Sequence, residues 1–298
     1  MQSSRRLSAV LQALLVTFLW STSWVLIKLS IQEIPPLTFA GLRYSIAVLI
    51  MLPGLRKHKT HLQTLSSKEW RHLVVLGLVF YTFTQGGIFL TLNHLEAITF
   101  SLLLNFTTLL VAVFGILALR ELPSKVQWVG IIIFITGVLV FFSPFSALTG
   151  KPLGFVLAGF TVCANAAAGL LGRSINRQEK TPPLVVTVIS MGIGAFILLG
   201  IGLATEDLPS LSPVNIGVII WLAVINTAFA FTLWNKSLQI LSAVESSIIN
   251  NTMLIQIAIL AWVFLGEQHG LVDIIGLALV AIGSLLANLK PVRTIAAK

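Results

Sequence analysis

Ten predominantly apolar stretches follow one another along the chain, at about 9–30, 36–53, 70–92, 96–119, 124–143, 153–174, 183–203, 213–238, 242–265 and 270–289. Each is close to the ~20 residues that a helix rising ~1.5 Å per residue needs to cross a hydrocarbon core of about 30 Å. Inside that core no water can satisfy the backbone, so each stretch must pair its own N–H and C=O groups as an α-helix. The pattern predicts an all-α membrane protein of ten transmembrane helices. Only 10% of the residues are charged and 56% are hydrophobic, whereas about a quarter of the residues in a soluble domain are charged. Proline punctuates the stretches at Pro35-Pro36, Pro123, Pro144, Pro152, Pro182-Pro183, Pro209 and Pro213, at or beside helix ends where a missing N–H does least harm. Arg5 and Arg6 ahead of an apolar run look like the start of a signal peptide. That run reaches Ser30, too long for a signal sequence, and is expected to stay as the first span.

Lysine and arginine set the orientation. With the N-terminus in the cytoplasm, sixteen of the 19 basic residues fall in inner segments, Lys151 alone lies in an outer loop, and Lys28 and Arg43 lie within helices. The positive-inside rule then predicts a multi-pass protein of the cytoplasmic (inner) membrane with both termini cytoplasmic. The net charge of +9 is not a nucleic-acid signal, because the basic residues sit in short gaps rather than as a stripe on one accessible face. A small-molecule substrate and membrane lipids are the expected partners, and the sequence does not fix an oligomeric state. Cys163 is the only cysteine, the five histidines lie in loops or at helix ends, and no carboxylate sits at mid-depth. No disulfide, metal, cofactor or buried proton relay is therefore expected, which favours facilitated diffusion or exchange over tight proton coupling.

Sliding the sequence by 146 residues superposes Ala97 on Ala243, Ser101 on Ser247, Asn105 on Asn251, Glu121 on Glu267, Gly130 on Gly276 and Gly137 on Gly283. Chance overlap of apolar runs would not align Ser, Asn and Glu together. The division is 1–150 and 151–298, five spans in each half. Five is odd, so the second repeat is expected to be inverted relative to the first, an arrangement typical of secondary transporters with a site near the bilayer midplane.

In its ordered motifs the chain resembles the EamA-type members of the drug/metabolite transporter superfamily, which include exporters of aromatic amino acids and other metabolites. The matching stretches are Trp20-Ser21-Thr22-Ser23-Trp24 with Lys28, Pro35-Pro36-Leu37 followed by Arg43, Trp234-Asn235-Lys236-Ser237-Leu238, and Leu265-Gly266-Glu267 with Gly276 and Gly283. The resemblance covers essentially the whole chain. It implies a ten-helix export or facilitation fold with a central cavity, and substrates ranging over amino acids, sugars, nucleotide-derived metabolites and amphipathic drugs. Members often carry a proline midway along the fourth and ninth helices. Here Asn105-Phe106-Thr107-Thr108 and Asn251-Thr252-Met253-Leu254 stand instead, so no proline kink is expected.

A polar group in hydrocarbon must pair or line a wet cavity, so its depth carries information. The candidate substrate-binding residues are Trp20, Tyr81, Gln85, Ser101, Asn105, Thr108, Asn165, Asn226, Ser247, Asn251 and Gln256. Their helices are expected to surround a solvated path that the fifth, seventh and tenth buttress. Ser101 and Asn105 share one helical face, as do Ser247 and Asn251. The competing reading is bonding between helices, roughly 0.6–2 kcal/mol per residue. Lys28 and Arg43 are expected as rim or structural charges, with anion binding as the alternative for Arg43, which lies ~10 Å into its helix, within snorkelling reach of the outer surface near Glu33. The heptad-spaced glycines, and Gly192-Ile193-Gly194, suit close helix packing better than a nucleotide loop.

The leading expectation is a secondary transporter or facilitator that moves amino acids or related metabolites outward by alternating access. Export of sugars or amphipathic drugs is the alternative on the same fold. A membrane enzyme would need a reactive constellation within the bilayer, and none is visible. A scaffold would need larger loops for partners to grip.

Overall fold

The computed structural model describes residues 2–107, 109–111, 121–122, 124–143, 152–176, 181–207, 211–238, 240–241, 243–268, 270–288 and 293–294. Its main helices are α1 (Gln2–Ser30), α2 (Pro36–Met51), α3 (Ser67–Leu76 through Gly77–Gln85 to Gly86–His94), α4 (Ala97–Leu104) and α5 (Lys125–Phe141). They continue as α6 (Pro152–Asn176), α7 (Pro183–Thr205), α8 (Pro213–Ala223 through Val224–Phe229 to Ala230–Leu238), α9 (Ala243–Leu265) and α10 (Leu271–Asn288). Six runs are long and apolar enough to cross a membrane: Arg5–Ser30, Pro36–Gln63, Ser67–His94, Pro152–Gly172, Pro183–Thr205 and Pro213–Trp234; α4, α5, α9 and α10 contribute shorter apolar stretches. Among the described residues, the only β-structure is a two-residue antiparallel pairing of Glu121–Leu122 with Arg293–Thr294.

Helix starts repeat within one residue of the spacing seen in the sequence, 147 residues for α2 and α7 and 146 for α3 and α8. Both α2 and α7 open with proline, and the residues before them, Pro35 and Pro182, share φ −55° and ψ 136°. Ser66 caps α3 by accepting from the Glu69 N–H, and Ser212, 146 residues on, caps α8 by accepting from the Asn215 N–H. Each satisfies a donor that has no partner within its helix.

Two compact units can be distinguished, one of Met1–Val25, Leu95–Pro152 and Ala230–Lys298, the other of Leu26–His94 and Leu153–Phe229. Each takes helices from both sequence halves. Lipid tails are as apolar as leucine, so membrane helices associate through close packing and polar bonds rather than hydrophobic expulsion. In the first unit, α5 and α10 touch along their glycines. A Cβ on Gly130 would come 2.5 Å from the Ala287 nitrogen, and one on Gly276 would come 2.6 Å from the Phe141 nitrogen. Phe134, Val138, Leu254 and Val280 fill the core beside this seam. Gly266 ends α9 in the left-handed region at φ 67°, which glycine reaches without a Cβ clash. The chain then turns so that the Glu267 carboxylate accepts from the Ala97 and Ile98 N–H groups at 2.7 and 3.0 Å.

The second unit repeats this logic with different residues. A Cβ on Gly41 would meet Leu199 Cα at 2.5 Å, and one on Gly202 would meet the Thr38 nitrogen at 2.6 Å, so α2 and α7 approach backbone to backbone. Gly194, seen in the sequence beside Gly192, packs against Gly77 and Tyr81 of α3. Glu206 accepts from the Leu37 and Thr38 N–H groups at 2.9 and 2.8 Å, capping α2 as Glu267 caps α4. A carboxylate there meets both the orphan donors and the positive end of the helix dipole.

One helix carries a local irregularity. A continuous span is predicted over 96–119; the regular α-helix of Ala97–Leu104 is interrupted at Asn105, whose N–H bonds three residues back to Leu102 O at 3.1 Å, and helix resumes at Phe106, while 112–119 lie outside the described residues. The Ser101 carbonyl that this leaves over is taken by the Asn105 side-chain amide at 2.8 Å. The Asn105 side chain thus stands in for a backbone donor at this one irregular turn.

Candidate functional site

Arg43 is the centre of the most concentrated polar group in the second unit. Expected as a rim or structural charge near Glu33, it is the eighth of the 16 residues of α2 and 5% exposed. Nine of those 16 residues are buried, Arg43 and its neighbours Tyr44 and Ser45 among them. Its Nε donates to Thr227 Oγ1 at 3.0 Å, while Glu33 accepts from Asn215 Nδ2 at 2.7 Å. The guanidinium carbon lies 5.1 Å from the centre of the Tyr44 ring. Tyr44 in turn donates its hydroxyl to Gln85 Oε1 at 2.6 Å and meets Tyr81 edge-on at 5.7 Å. Thr227, Arg43, Tyr44, Gln85 and Tyr81 therefore form one continuous polar and aromatic cluster.

The local backbone explains how α3 and α8 supply these groups. Both helices widen into π-helical turns, at Gly77–Gln85 and at Val224–Phe229. Such turns are rare and concentrate at functional sites; each inserts about one residue and so rotates the following side chains by about 100°. Thr84 and Thr227 donate their hydroxyls five residues back, to Val79 O at 2.9 Å and Leu222 O at 2.8 Å, in keeping with the wider turn. Shifted by 146 residues, 77–85 falls on 223–231, so the widened turns occupy equivalent positions of the two halves. Tyr81, Gln85, Asn226 and Thr227 all sit in them. Asn226 is fully buried and Asn165 half-buried on α6, both in this unit. Lys28, also in this unit, donates to Leu92 O at 2.5 Å.

The remaining candidates belong to the first unit. Trp20 packs at 5.4 Å against Phe231 and 5.3 Å against Trp234, a cluster of three aromatic rings. Gln256 accepts from Ser21 at 2.9 Å and donates to Thr252 at 3.1 Å and Thr17 at 3.3 Å, which joins α9 to α1. Ser101 is buried and donates to its own helix at Ile98 O. Asn251 differs from its counterpart Asn105. Its Oδ1 accepts from Ser284 at 3.4 Å, and its buried Nδ2 has no partner among the described residues. Thr108 and the Ser247 side chain lie outside the described residues.

The sequence reading missed Tyr44, Glu206 and Glu267 as working residues. The one sequence signal for Tyr44 is its position next to Arg43. The two glutamates follow helix ends in loops, and only the fold shows which helix start each one faces.

Residues 7–143 and 153–289 each match the EamA-like transporter family. The chain belongs to that family. The match in two copies accounts for the internal repeat, and membership makes the chain a multi-pass membrane transporter. Among similar proteins, the chain is 28% identical over 282 residues to the uncharacterized transporter YyaM of Bacillus subtilis, covering 88% of each chain. It is 24% identical to an uncharacterized transporter of Archaeoglobus fulgidus, over 93% of this chain and 96% of that one. It is also 24% identical to a probable amino-acid metabolite efflux pump of Escherichia coli, over 76% of each. A solved crystal structure superposes with a TM-score of 0.67 at 17% identity, over 95% of this chain and 96% of that one, a likeness of fold.

Proposed function

We propose that this EamA-like transporter moves small metabolites, amino acids or related compounds, outward across the cytoplasmic membrane by alternating access. In this reading ten transmembrane helices form two inverted five-helix repeats, 1–150 and 151–298, with both termini in the cytoplasm. The observation that carries it is the buried cluster around Arg43, built on widened turns at equivalent positions of the two halves. Polar groups held inside a bilayer are expensive, and they persist where they pair or line a substrate path. Helices interrupted near mid-depth at repeat-related positions are the usual setting of such a path. The substrate-binding role of Tyr81, Gln85, Asn165 and Asn226 follows from this cluster and its unit. For Trp20, Ser101, Asn105, Thr108, Ser247, Asn251 and Gln256 the substrate-binding role rests on their polarity or aromaticity and their depth along the apolar stretches. The E. coli relative described as a probable amino-acid metabolite efflux pump supports the choice of substrate class.

Cells that overproduce the protein, preloaded with labelled amino acids, should release at least one of them faster than cells carrying an empty vector. Equal release of every amino acid and related metabolite tested would contradict the assignment.

A further inference from the structure

We propose that Arg43 is the anion-recognition residue of this transporter, and that it holds the carboxylate of a substrate carrying a single negative charge. The inference rests on the transport reading above and names its substrate class. Its ground is a set of donors left over once the protein's own bonds are counted. Among the described residues, Arg43 bonds only through Nε, no carboxylate pairs with it, and Nη1 and Nη2 have no acceptor although the residue is 5% exposed. Neither Nη atom is sealed from open space. The Tyr81 hydroxyl, on a residue 3% exposed, likewise has no partner. Gln85 uses its oxygen to accept from Tyr44, which fixes the orientation of the amide and leaves Nε2 as a donor without an acceptor.

The chemistry of this set is one-sided. A guanidinium edge, an amide NH2 and a phenol can all donate, and the bonded oxygen of Gln85 is already occupied. Thr227 holds Nε, so the edge that stays open is the Nη1–Nη2 pair, the fork that matches the two oxygens of a carboxylate. Tyr44 lies against the guanidinium and limits its swing. A buried cation without a counter-ion is a costly arrangement that a bound anion relieves. The cluster carries one positive charge, which matches one carboxylate; a phosphate monoester brings about −1.5 to −2 and would leave negative charge unmet.

The test uses purified full-length protein in detergent and two probe pairs, propionate against propionamide and 3-phenylpropionate against its carboxamide, at constant ionic strength. A ligand that binds the folded state raises the melting temperature. For at least one pair the acid should raise it more than the amide does. Arg43→Gln should weaken acid binding by roughly 10- to 100-fold, the scale of lost charge-assisted hydrogen bonds. Arg43→Lys keeps the charge but not the fork, and should fall between. If Arg43→Gln does not melt cooperatively, Arg43→Lys carries the test, with weaker acid binding and unchanged amide binding expected. Equal shifts from acid and amide, no shift from any probe, an acid shift that survives Arg43→Gln, or inorganic phosphate outdoing both acids would each overturn the proposal. Counterflow in proteoliposomes separates the two claims. Arg43-dependent acid binding without counterflow would sink the transport reading alone, whereas counterflow of uncharged solutes without acid binding would sink the carboxylate site alone.

Discussion

Single residues in this protein act through what they leave satisfied or unsatisfied. Gly266 adopts φ 67° and aims Glu267 at the start of α4. Gly266→Ala should cost about 1 kcal/mol, because a Cβ is strained in that region. Glu267→Gln keeps the shape but loses the charge facing two N–H donors, and should cost roughly 1–2 kcal/mol. The double variant should cost less than the sum, since the glycine works partly by positioning the glutamate; melting curves of the three variants check this. Asn105 and Asn251, equivalent in sequence, should behave differently. Asn105→Leu strands the Ser101 carbonyl and should lower thermal stability by about 1–2 kcal/mol. Asn251→Leu removes an Nδ2 that has no partner among the described residues and an Oδ1 held only by a long 3.4 Å bond from Ser284, so it should disturb the fold less than Asn105→Leu and weaken substrate binding by about 1–3 kcal/mol. Unchanged affinity in Asn251→Leu would remove that residue from the substrate path.

At the scale of elements, the glycine seam between α5 and α10 is the most exacting contact. Gly276→Leu would drive a side chain into the backbone of Phe141 and should abolish the folded protein in detergent, whereas Gly217→Ala on the exposed face of α8 meets nothing within 4 Å and should be neutral or stabilising by up to ~1 kcal/mol. Comparable melting of the two variants would contradict the seam. Helix limits were legible in the sequence because proline and span length mark them: Pro36, Pro152, Pro183 and Pro213 all open helices. The repeat was legible through Ser101, Asn105, Glu121 and the glycines with their counterparts 146 residues on, whereas the matching caps Ser66 and Ser212 came to light only in the structure. The widened turns were not, because a π turn differs from an α turn by one residue of winding and carries no compositional mark. Nor was the burial of Arg43. Counting residues from a helix start gives depth along the helix axis, while burial depends on which neighbours close around it, here the helices carrying Leu199 and Thr227.

For the whole molecule, the distribution of Lys and Arg predicts one orientation. In a background where Cys163 is replaced, single cysteines at Glu206 and Gln268 should react with an impermeant thiol reagent added outside, and one at Thr60 should not. Labelling of Thr60 with protection of the other two would invert the topology. Energy coupling is the other property of the whole protein. Among the described residues, Arg43 lies well inside a span and is held by a hydroxyl and a ring rather than by a carboxylate that could relay protons. The substrate gradient alone should therefore drive transport. Counterflow tests this most directly: liposomes containing the purified protein are loaded with an unlabelled substrate identified by the efflux screen, and uptake of the labelled form is followed with no pH or sodium gradient imposed. The prediction is transient accumulation of label above that in protein-free liposomes. Absence of counterflow, or counterflow that appears only when a proton or sodium gradient is imposed, would contradict it.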